Sequence, residues 1–270
     1  MKQRIERDGA GISDTEFTYI ILQSFDFAEL NKRFDCELQI GGSDQWGNIT
    51  GGIDLTRRMN GASVQGLTMP LVTKADGTKF GKTAGGAVWL DAAKTSPYSF
   101  YQFWLNTADA DAIGFLRTFT FLENSEIDAL ATSLAEEPQA RAAQQALARE
   151  VTGLVHGQQA VEGAQRISQA LFAGDLALLT ASDLGELEQD GMDATYIEGQ
   201  SIGLLEAMAQ AGLAASKGAA RKLVQGGGVR LNGDVVSDHD AQISSEGGLH
   251  GKYHLLRRGK KTWHLLVHRA

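Results

Sequence analysis

Two short apolar segments with a helical pattern between them lie in the first third of the chain. The first, CELQIGG at residues 36–42, ends in two glycines, and the second, LTMPLV, spans residues 67–72. Short apolar runs joined through a helix are typical of parallel strands, because a parallel pair requires a crossover connection. The sequence therefore predicts an α/β architecture here, with a helix over residues 43–58 between the strands.

A further helix precedes these strands. Residues 13–16 read S-x-x-E, a capping box that opens a helix, and the helical pattern continues to about Arg33. Apolar side chains at helical spacing predict one buried stripe along it, formed by Phe17, Ile21, Phe25 and Ala28.

Three polar side chains share the other face of this helix. Tyr19, Gln23 and Asp26 are spaced to lie in one row opposite the apolar stripe. One interpretation is a polar face exposed to solvent, and the other is a face that contacts a ligand. Beyond Glu16 the row lacks the lysines and glutamates of a typical solvated face, which favours a ligand.

The string GGSDQWGN, residues 41–48, combines a glycine turn after a strand with the start of a helix. Such a turn offers backbone N–H groups and the positive end of the helix dipole to an anion. Asp44 could then hold ribose hydroxyls, and Gln45 a carbonyl or phosphate oxygen. The alternative interpretation is a capped turn around a buried Trp46.

The string TKADGTKFGKT, residues 73–83, places Lys74, Lys79 and Lys82 among glycines and threonines. A loop of this composition can close over a polyphosphate and neutralise developing charge. Its glycine spacing is not that of a Walker A motif. The alternative is a solvated basic loop.

The charge of the chain is unevenly distributed. Residues 201–270 carry a net charge of +5, whereas residues 1–200 carry −13. An acidic body with a basic end suggests nucleic-acid binding at that end. Uneven surface charge on a module without such a ligand is the alternative.

The later part of the chain divides into a helical region and a small mixed unit. Only helical patterns appear from residue 96 to residue 187, and the polar segment 188–200 is predicted to be a linker. Two helices, an Asn-Gly turn between strands and a final β-hairpin around RRGKK follow it. The expected domains are residues 1–95, 96–190 and 201–270.

Several classes of protein are disfavoured. A single cysteine, Cys36, allows no internal disulfide and fits a reducing cytoplasm. No apolar run approaches the ~18 residues of a membrane helix, and no signal peptide is recognisable at the N-terminus. None of the six histidines has a cysteine at metal-ligand spacing, so no structural metal is predicted.

The strings GGSDQWGNIT and TKADGTKFGKT resemble those of bacterial-type tyrosyl-tRNA synthetases, and the resemblance covers essentially all 270 residues. It implies a class I aminoacyl-tRNA synthetase that activates L-tyrosine with ATP and Mg²⁺ and transfers it to tRNA(Tyr). The implied architecture is the second half of a Rossmann-like catalytic domain, a helical domain and a small α+β RNA-binding domain. The implied enzyme is a cytoplasmic homodimer.

The resemblance also implies roles for individual residues. Catalytic roles fall to the signature loop, where the pyrophosphate leaving group is stabilised by Lys79, Lys82 and Thr83. The tyrosine-binding residues are Tyr19, Gln23, Asp26, Gln39 and Gln45. The ATP-binding residues are Gly42, Asp44, Gln45, Lys79 and Lys82. The RNA-binding residues are Lys217, Arg221, Lys222 and Arg230.

One motif of the family is absent from this sequence. Class I synthetases carry an H-x-G-H signature near the first strand, and no such string occurs here. We therefore expect an N-terminally truncated chain that is inactive by itself. One alternative is a fragment that only binds RNA and keeps a vestigial catalytic remnant. Another is the sister enzyme for tryptophan, which Asp26 disfavours because an indole has no phenol to bond with it.

Overall fold

The computed structural model describes residues 14–78, 80 and 87–269. The chain divides into two compact units, residues 1–82 and 83–270. Among the described residues, no helix is long and apolar enough to span a membrane.

The first unit is built around a parallel strand pair. Its elements are α1 (Asp14–Phe34), β1 (Leu38–Gly42), α2 (Trp46–Asn60) and β2 (Gln65–Met69). The strands pair in parallel, from Leu38 opposite Gln65 to Gly42 opposite Met69. The predicted strand–helix–strand arrangement is confirmed. A 3₁₀ turn at Ser43–Gln45 separates β1 from α2, so the α-helix begins later than predicted.

Helix α1 packs on α2 along a different row from the predicted one. Phe27 and Ala28 are buried, and Asn60 Nδ2 donates to the Ala28 carbonyl at 2.8 Å. A Cβ at Gly52 would lie 2.9 Å from Phe27 Cδ1, so the glycine permits this close approach. The buried stripe is a wrong prediction except for Ala28. Its other members are about half exposed, namely Phe17 at 58%, Ile21 at 50% and Phe25 at 45%.

The two faces of the β1–β2 sheet differ. One face packs on α2, where Ile49 is fully buried. On the other face, apolar side chains are more than half exposed, namely Leu38, Ile40, Leu67 and Met69. An uncovered apolar face is unusual because parallel sheets are normally covered on both sides.

The second unit begins with helices. They are α3 (Pro97–Leu105), α4 (Asp109–Phe119), α5 (Asn124–Glu136), α6 (Ala142–His156), α7 (Gln158–Ala173) and α8 (Ala181–Glu186). Residues 96–187 contain no strand, which confirms the predicted helical region. Its centre is aromatic, with the Trp104 ring 6.3 Å from that of Phe115 in an edge-to-face arrangement.

The same unit ends in a mixed α+β region. Its strands are β3 (Ala194–Glu198), β4 (Ser201–Gly203), β5 (Val229–Leu231), β6 (Asp234–Val235), β7 (Gln242–Ser244), β8 (Tyr253–Arg258) and β9 (Thr262–Arg269). A five-stranded sheet has the order β3-β9-β8-β5-β6, and β4 pairs with β7. The predicted final hairpin, β8–β9, is confirmed.

Helices α9 (Leu204–Gln210) and α10 (Lys217–Gln225) pack with one face of this sheet. Their shared core includes Leu204, Met208, Val224, Leu256 and Leu266. Ser216 caps α10 by accepting a hydrogen bond from the Ala219 amide at 3.2 Å. Both helices were predicted, over residues 202–211 and 216–225, and each begins slightly later than predicted.

The segment 188–200 is more than a linker, which corrects the sequence interpretation. Strand β3 lies within it and pairs in parallel with β9, from Ala194 opposite Leu265 to Glu198 opposite Arg269. Only Ile197 of this strand is fully buried, whereas Tyr196 and Glu198 are exposed. The segment is polar because one face of an edge strand contacts solvent.

An ion pair between a partly exposed arginine and a buried aspartate joins α7 to the start of α8. Arg166 donates to both carboxylate oxygens of Asp183 at 2.8 and 2.7 Å, and Asp183 also accepts from the Thr180 amide at 2.8 Å. Asp183 is only 1% exposed. Burial by itself raises the pKa of Asp183, but the Arg166 and Thr180 donors outweigh it and leave the pKa below its ordinary value.

We predict that Asp183→Ala lowers the free energy of unfolding by about 1.5–3 kcal/mol, because the substitution removes a buried carboxylate that accepts hydrogen bonds from Arg166 and from the Thr180 amide. The exposed pair of Arg117 and Asp128, at 3.1 Å, provides the control. Asp128→Ala is expected to cost less than about 1 kcal/mol. Urea unfolding followed by circular dichroism measures both, and equal losses contradict the prediction.

The same pair sets a pH dependence. Because the folded pKa of Asp183 lies below its unfolded value, the stabilisation is complete above the unfolded pKa of about 3.9. It is lost as the pH falls through the lower folded pKa. The difference in stability between wild type and Asp183→Ala should therefore shrink below about pH 4.

Candidate functional site

A side chain at Gly42, the last residue of β1, would have to displace the ends of the Leu71 and Asp44 side chains. A Cβ at Gly42 would lie 2.7 Å from Leu71 Cδ2 and 2.8 Å from Asp44 Oδ1. Glycine therefore leaves the backbone bare where the strand ends. The carboxylate of Asp44 is exposed beside it. The structure thus brings these two predicted ATP-binding residues together.

An asparagine joins two predicted tyrosine-binding residues. Asn48 Nδ2 donates to Gln23 Oε1 of α1 and to Gln45 Oε1 of the 3₁₀ turn, each at 3.0 Å. Asn48 was not among the predicted site residues, although it closes the GGSDQWGN string. The signal that could have identified it is its position one helical turn after Gln45.

Gln39 lies on β1 and is half-buried. Its Oε1 atom is buried and has no hydrogen-bond partner among the described residues. A buried acceptor without a donor costs free energy. A donor supplied from outside the described residues would satisfy it.

Tyr19 and Asp26 are not enclosed. Tyr19 is 58% exposed. Asp26 is also exposed, although the next residue, Phe27, is buried. Neither side chain has a hydrogen bond within the described part of the chain. Trp46 is 54% exposed, so the alternative of a turn around a buried tryptophan is wrong.

The beginning of the lysine-rich loop forms a tight turn. Asp76 Oδ1 accepts from the Thr78 hydroxyl at 2.6 Å and from the Thr78 amide at 2.9 Å. These hydrogen bonds hold the pKa of Asp76 below its ordinary value. The three predicted catalytic residues, Lys79, Lys82 and Thr83, lie outside the described residues.

The predicted RNA-binding residues lie in two places. Lys217, Arg221 and Lys222 are exposed on α10, where Lys217 Nζ also contacts Glu206 at 3.1 Å. Arg230 is on β5, and its Nη1 donates to the Gly233 carbonyl at 2.8 Å. Val229 and Leu231 contact the core beneath α10. Since side chains alternate along a strand, Arg230 lies on the opposite face of the sheet from α10.

Comparison with known proteins adds independent information. Residues 1–173 match the family described as tRNA synthetases class I (W and Y). Residues 183–266 match the tyrosine–tRNA ligase SYY-like C-terminal domain.

The chain is 55% identical over 267 residues to the tyrosine–tRNA ligase of Aliivibrio fischeri (strain MJ11), covering 99% of this chain and 63% of that protein. It is 54% identical over 266 residues to the tyrosine–tRNA ligase of Chromobacterium violaceum, covering 98% and 63%. A C-terminally truncated mitochondrial tyrosyl-tRNA synthetase of Aspergillus nidulans superposes with a TM-score of 0.50 at 34% identity, covering 63% of this chain and 48% of that chain.

The match over residues 1–173 places the chain in the family of class I tRNA synthetases that contains the tryptophan and tyrosine members. Within that group the chain belongs to the tyrosyl-tRNA synthetase family, because its C-terminal match and these relatives are all tyrosine–tRNA ligases by name. The tryptophan alternative is therefore wrong. The chain spans about 63% of the length of these curated relatives.

We predict that Asn48 and Gln23 are energetically coupled. A double-mutant cycle of Asn48→Ala and Gln23→Ala should give a coupling free energy of about 0.5–1.5 kcal/mol, the net value of one hydrogen bond. Amide hydrogen exchange in α2 is the local readout. A cycle that pairs Asn48→Ala with Gln65→Ala on exposed β2 should be additive, and additivity in both cycles contradicts the assignment.

Proposed function

We propose that the chain contributes the tyrosine- and ATP-contacting side of a tyrosine–tRNA ligase site, together with a region that binds tRNA(Tyr). The observation that carries the proposal is the Asn48 bridge between Gln23 and Gln45. It joins the polar row of α1 to the turn that follows β1. In open α/β sheets, ligands bind beyond the carboxyl ends of the strands, and this turn lies at that end.

The amino acid would lie along the polar row of α1. Tyr19 and Gln23 would hold the α-ammonium group of L-tyrosine, and Asp26 would accept a hydrogen bond from its phenol. Gln39 would line the pocket, and its unpartnered Oε1 supports this role because a ligand donor would satisfy it. Gln45 would contact the reacting carboxylate and the α-phosphate.

The nucleotide would lie against the turn after β1. The backbone of Gly42 would pack on the nucleotide, and the exposed Asp44 carboxylate is suited to accept from ribose hydroxyls. ATP would bind as its Mg²⁺ complex. Lys79 and Lys82, assisted by Thr83, would stabilise the charge on the pyrophosphate leaving group, a role that rests on their sequence alone.

The 270-residue chain by itself is proposed not to activate tyrosine. Its sequence lacks H-x-G-H, Tyr19 is 58% exposed, and one apolar face of the β1–β2 sheet is uncovered. Charge stabilisation requires preorganised groups in a site that excludes water. Tyrosine-dependent pyrophosphate exchange should be absent for this chain and present for a chain of the relatives' full length.

The wider organisation is proposed on the same basis. Residues 1–95 would belong to the catalytic domain, 96–190 would form the helical domain and 201–270 the RNA-binding domain. The full-length enzyme would be a cytoplasmic homodimer. If the RNA-binding part functions and the full-length chain shows no exchange, the alternative of an RNA-binding protein with a vestigial catalytic remnant is favoured.

We predict that Asp26 determines the preference for tyrosine over phenylalanine. In a chain of the relatives' full length, Asp26→Ala should lower the ratio of their kcat/KM values roughly 10- to 150-fold, the value of one hydrogen bond to a charged group. Glu29→Ala, one turn further along α1, is the control, because Glu29 contacts Arg33 at 2.8 Å. If Asp26→Ala leaves this ratio unchanged, the assignment of Asp26 to the tyrosine pocket is wrong.

RNA binding is proposed for the α10 surface. Residues 201–270 carry a net charge of +5, and Arg221 and Lys222 are exposed on α10. Exposed cations bind RNA phosphates and release counterions, so affinity falls steeply with salt.

We predict that replacing Arg221 and Lys222 together by alanine weakens tRNA binding and reduces the slope of log affinity against log salt by about 1.5, because two phosphate contacts are lost. The control replaces Arg57 and Arg58 by alanine. Both are exposed on α2, in the first unit of the chain, and their loss removes the same charge. Fluorescence anisotropy with labelled tRNA measures both. The same slope change in the control pair would mean that net charge alone controls binding.

A further inference from the structure

An open cleft lies at the edge of the C-terminal sheet, beside β3 and β9. Its volume is about 1210 Å³, and its lining includes Tyr196, Glu198, Lys252, Val267 and Arg269. Ile197 and Leu266 belong to the core that includes α9 and α10. By strand alternation, Tyr196, Glu198 and Arg269 therefore lie on the opposite face of the sheet.

A cation and an aromatic ring are stacked in this cleft. The guanidinium carbon of Arg269 lies 4.1 Å from the centroid of the Tyr196 ring. Tyr196 is 40% exposed, so the stacked pair is accessible from solvent. A guanidinium and a phenol ring are the two kinds of flat surface on which unstacked RNA bases pack.

The two carboxylates of the cleft differ in their bonding. Glu188 accepts from Lys252 Nζ and from the Tyr253 hydroxyl, both at 2.8 Å. The Glu198 side chain is exposed, and its carboxylate has no hydrogen bond or ion pair within residues 87–269. It sits opposite Arg269 in the β3–β9 register, so a free acceptor adjoins the stacked pair.

We propose that this cleft binds one unpaired base of bound RNA and prefers cytosine to uracil. The base would stack on the Arg269–Tyr196 pair, and its exocyclic amino group would donate to Glu198. A carboxylate accepts well from cytosine N4, whereas uracil presents a carbonyl oxygen at the same position. The carboxylate also repels phosphates, so the cleft selects a base edge instead of the RNA backbone.

This site rests on the proposed RNA binding and adds a distinct property to it. The basic residues of α10 would supply affinity without sequence preference, since phosphate contacts carry no sequence information. The cleft lies on the other face of the sheet and would supply base preference. Each contribution can therefore be removed separately.

The test uses the 270-residue chain and labelled hexanucleotides of cytidine and of uridine, measured by fluorescence anisotropy at one salt concentration. Wild type should bind the cytidine probe more tightly. Glu198→Ala should bring the ratio of the two affinities close to one. Tyr196→Leu should lower the affinity for both probes roughly 5- to 150-fold, the range for loss of one stacked base. Tyr196→Phe should retain binding.

Two controls separate the possible outcomes. Trp263→Leu removes a similar pair outside the cleft, where Arg257 lies 5.0 Å from the Trp263 ring, and should leave the ratio unchanged. Replacing Arg221 and Lys222 by alanine should lower the affinity for both probes by the same factor. If RNA binds but neither Glu198→Ala nor Tyr196→Leu has its effect, the cleft assignment is overturned and the α10 proposal stands. If neither probe nor tRNA binds, both proposals fail.

Discussion

The parallel pairing of β1 and β2 is the constraint on which the candidate site depends. Parallel strands need a crossover, and α2 provides it on one face of the sheet. Both strands consequently end at the same edge, with Gly42 opposite Met69. The turn after β1 enters α2 at this edge, so Gln45 and Asn48 meet Gln23 of the neighbouring helix there. The polar groups converge because the turn leads into α2, and α2 packs on α1.

The C-terminal sheet follows a different constraint, the alternation of side chains along a strand. Ile197, Leu256 and Leu266 contribute to the core with α9 and α10. Their strand neighbours must therefore occupy the opposite face, which includes Tyr196 and Arg269. One sheet thus separates a basic helix surface from a cleft that contains both charges. The Lys252–Glu188 contact ties this second face to the end of the helical region.

Sequence patterns predicted the type of most elements and missed the surfaces on which they pack. The prediction of a helix at α1 was correct, and so was the burial of Ala28, yet the helix buries Phe27 beside it and leaves Phe17, Ile21 and Phe25 about half exposed. Apolar character alone could not decide between these rows, since the choice follows from the close approach of α2 at Gly52. Strand β3 was not predicted because an edge strand with one solvent-exposed face has the polar sequence that is typical of a linker.

The sequence by itself determined the family, the type of most helices and strands, and the residue types of the candidate site, since these are local patterns or literal strings. Only the tertiary structure decided which of those residues meet. It joined Gln23 to Gln45 through Asn48, and it separated Arg230 from the basic residues of α10. The physical reason is that a sequence fixes the spacing of side chains along one element, whereas contacts between elements depend on the faces that packing brings together.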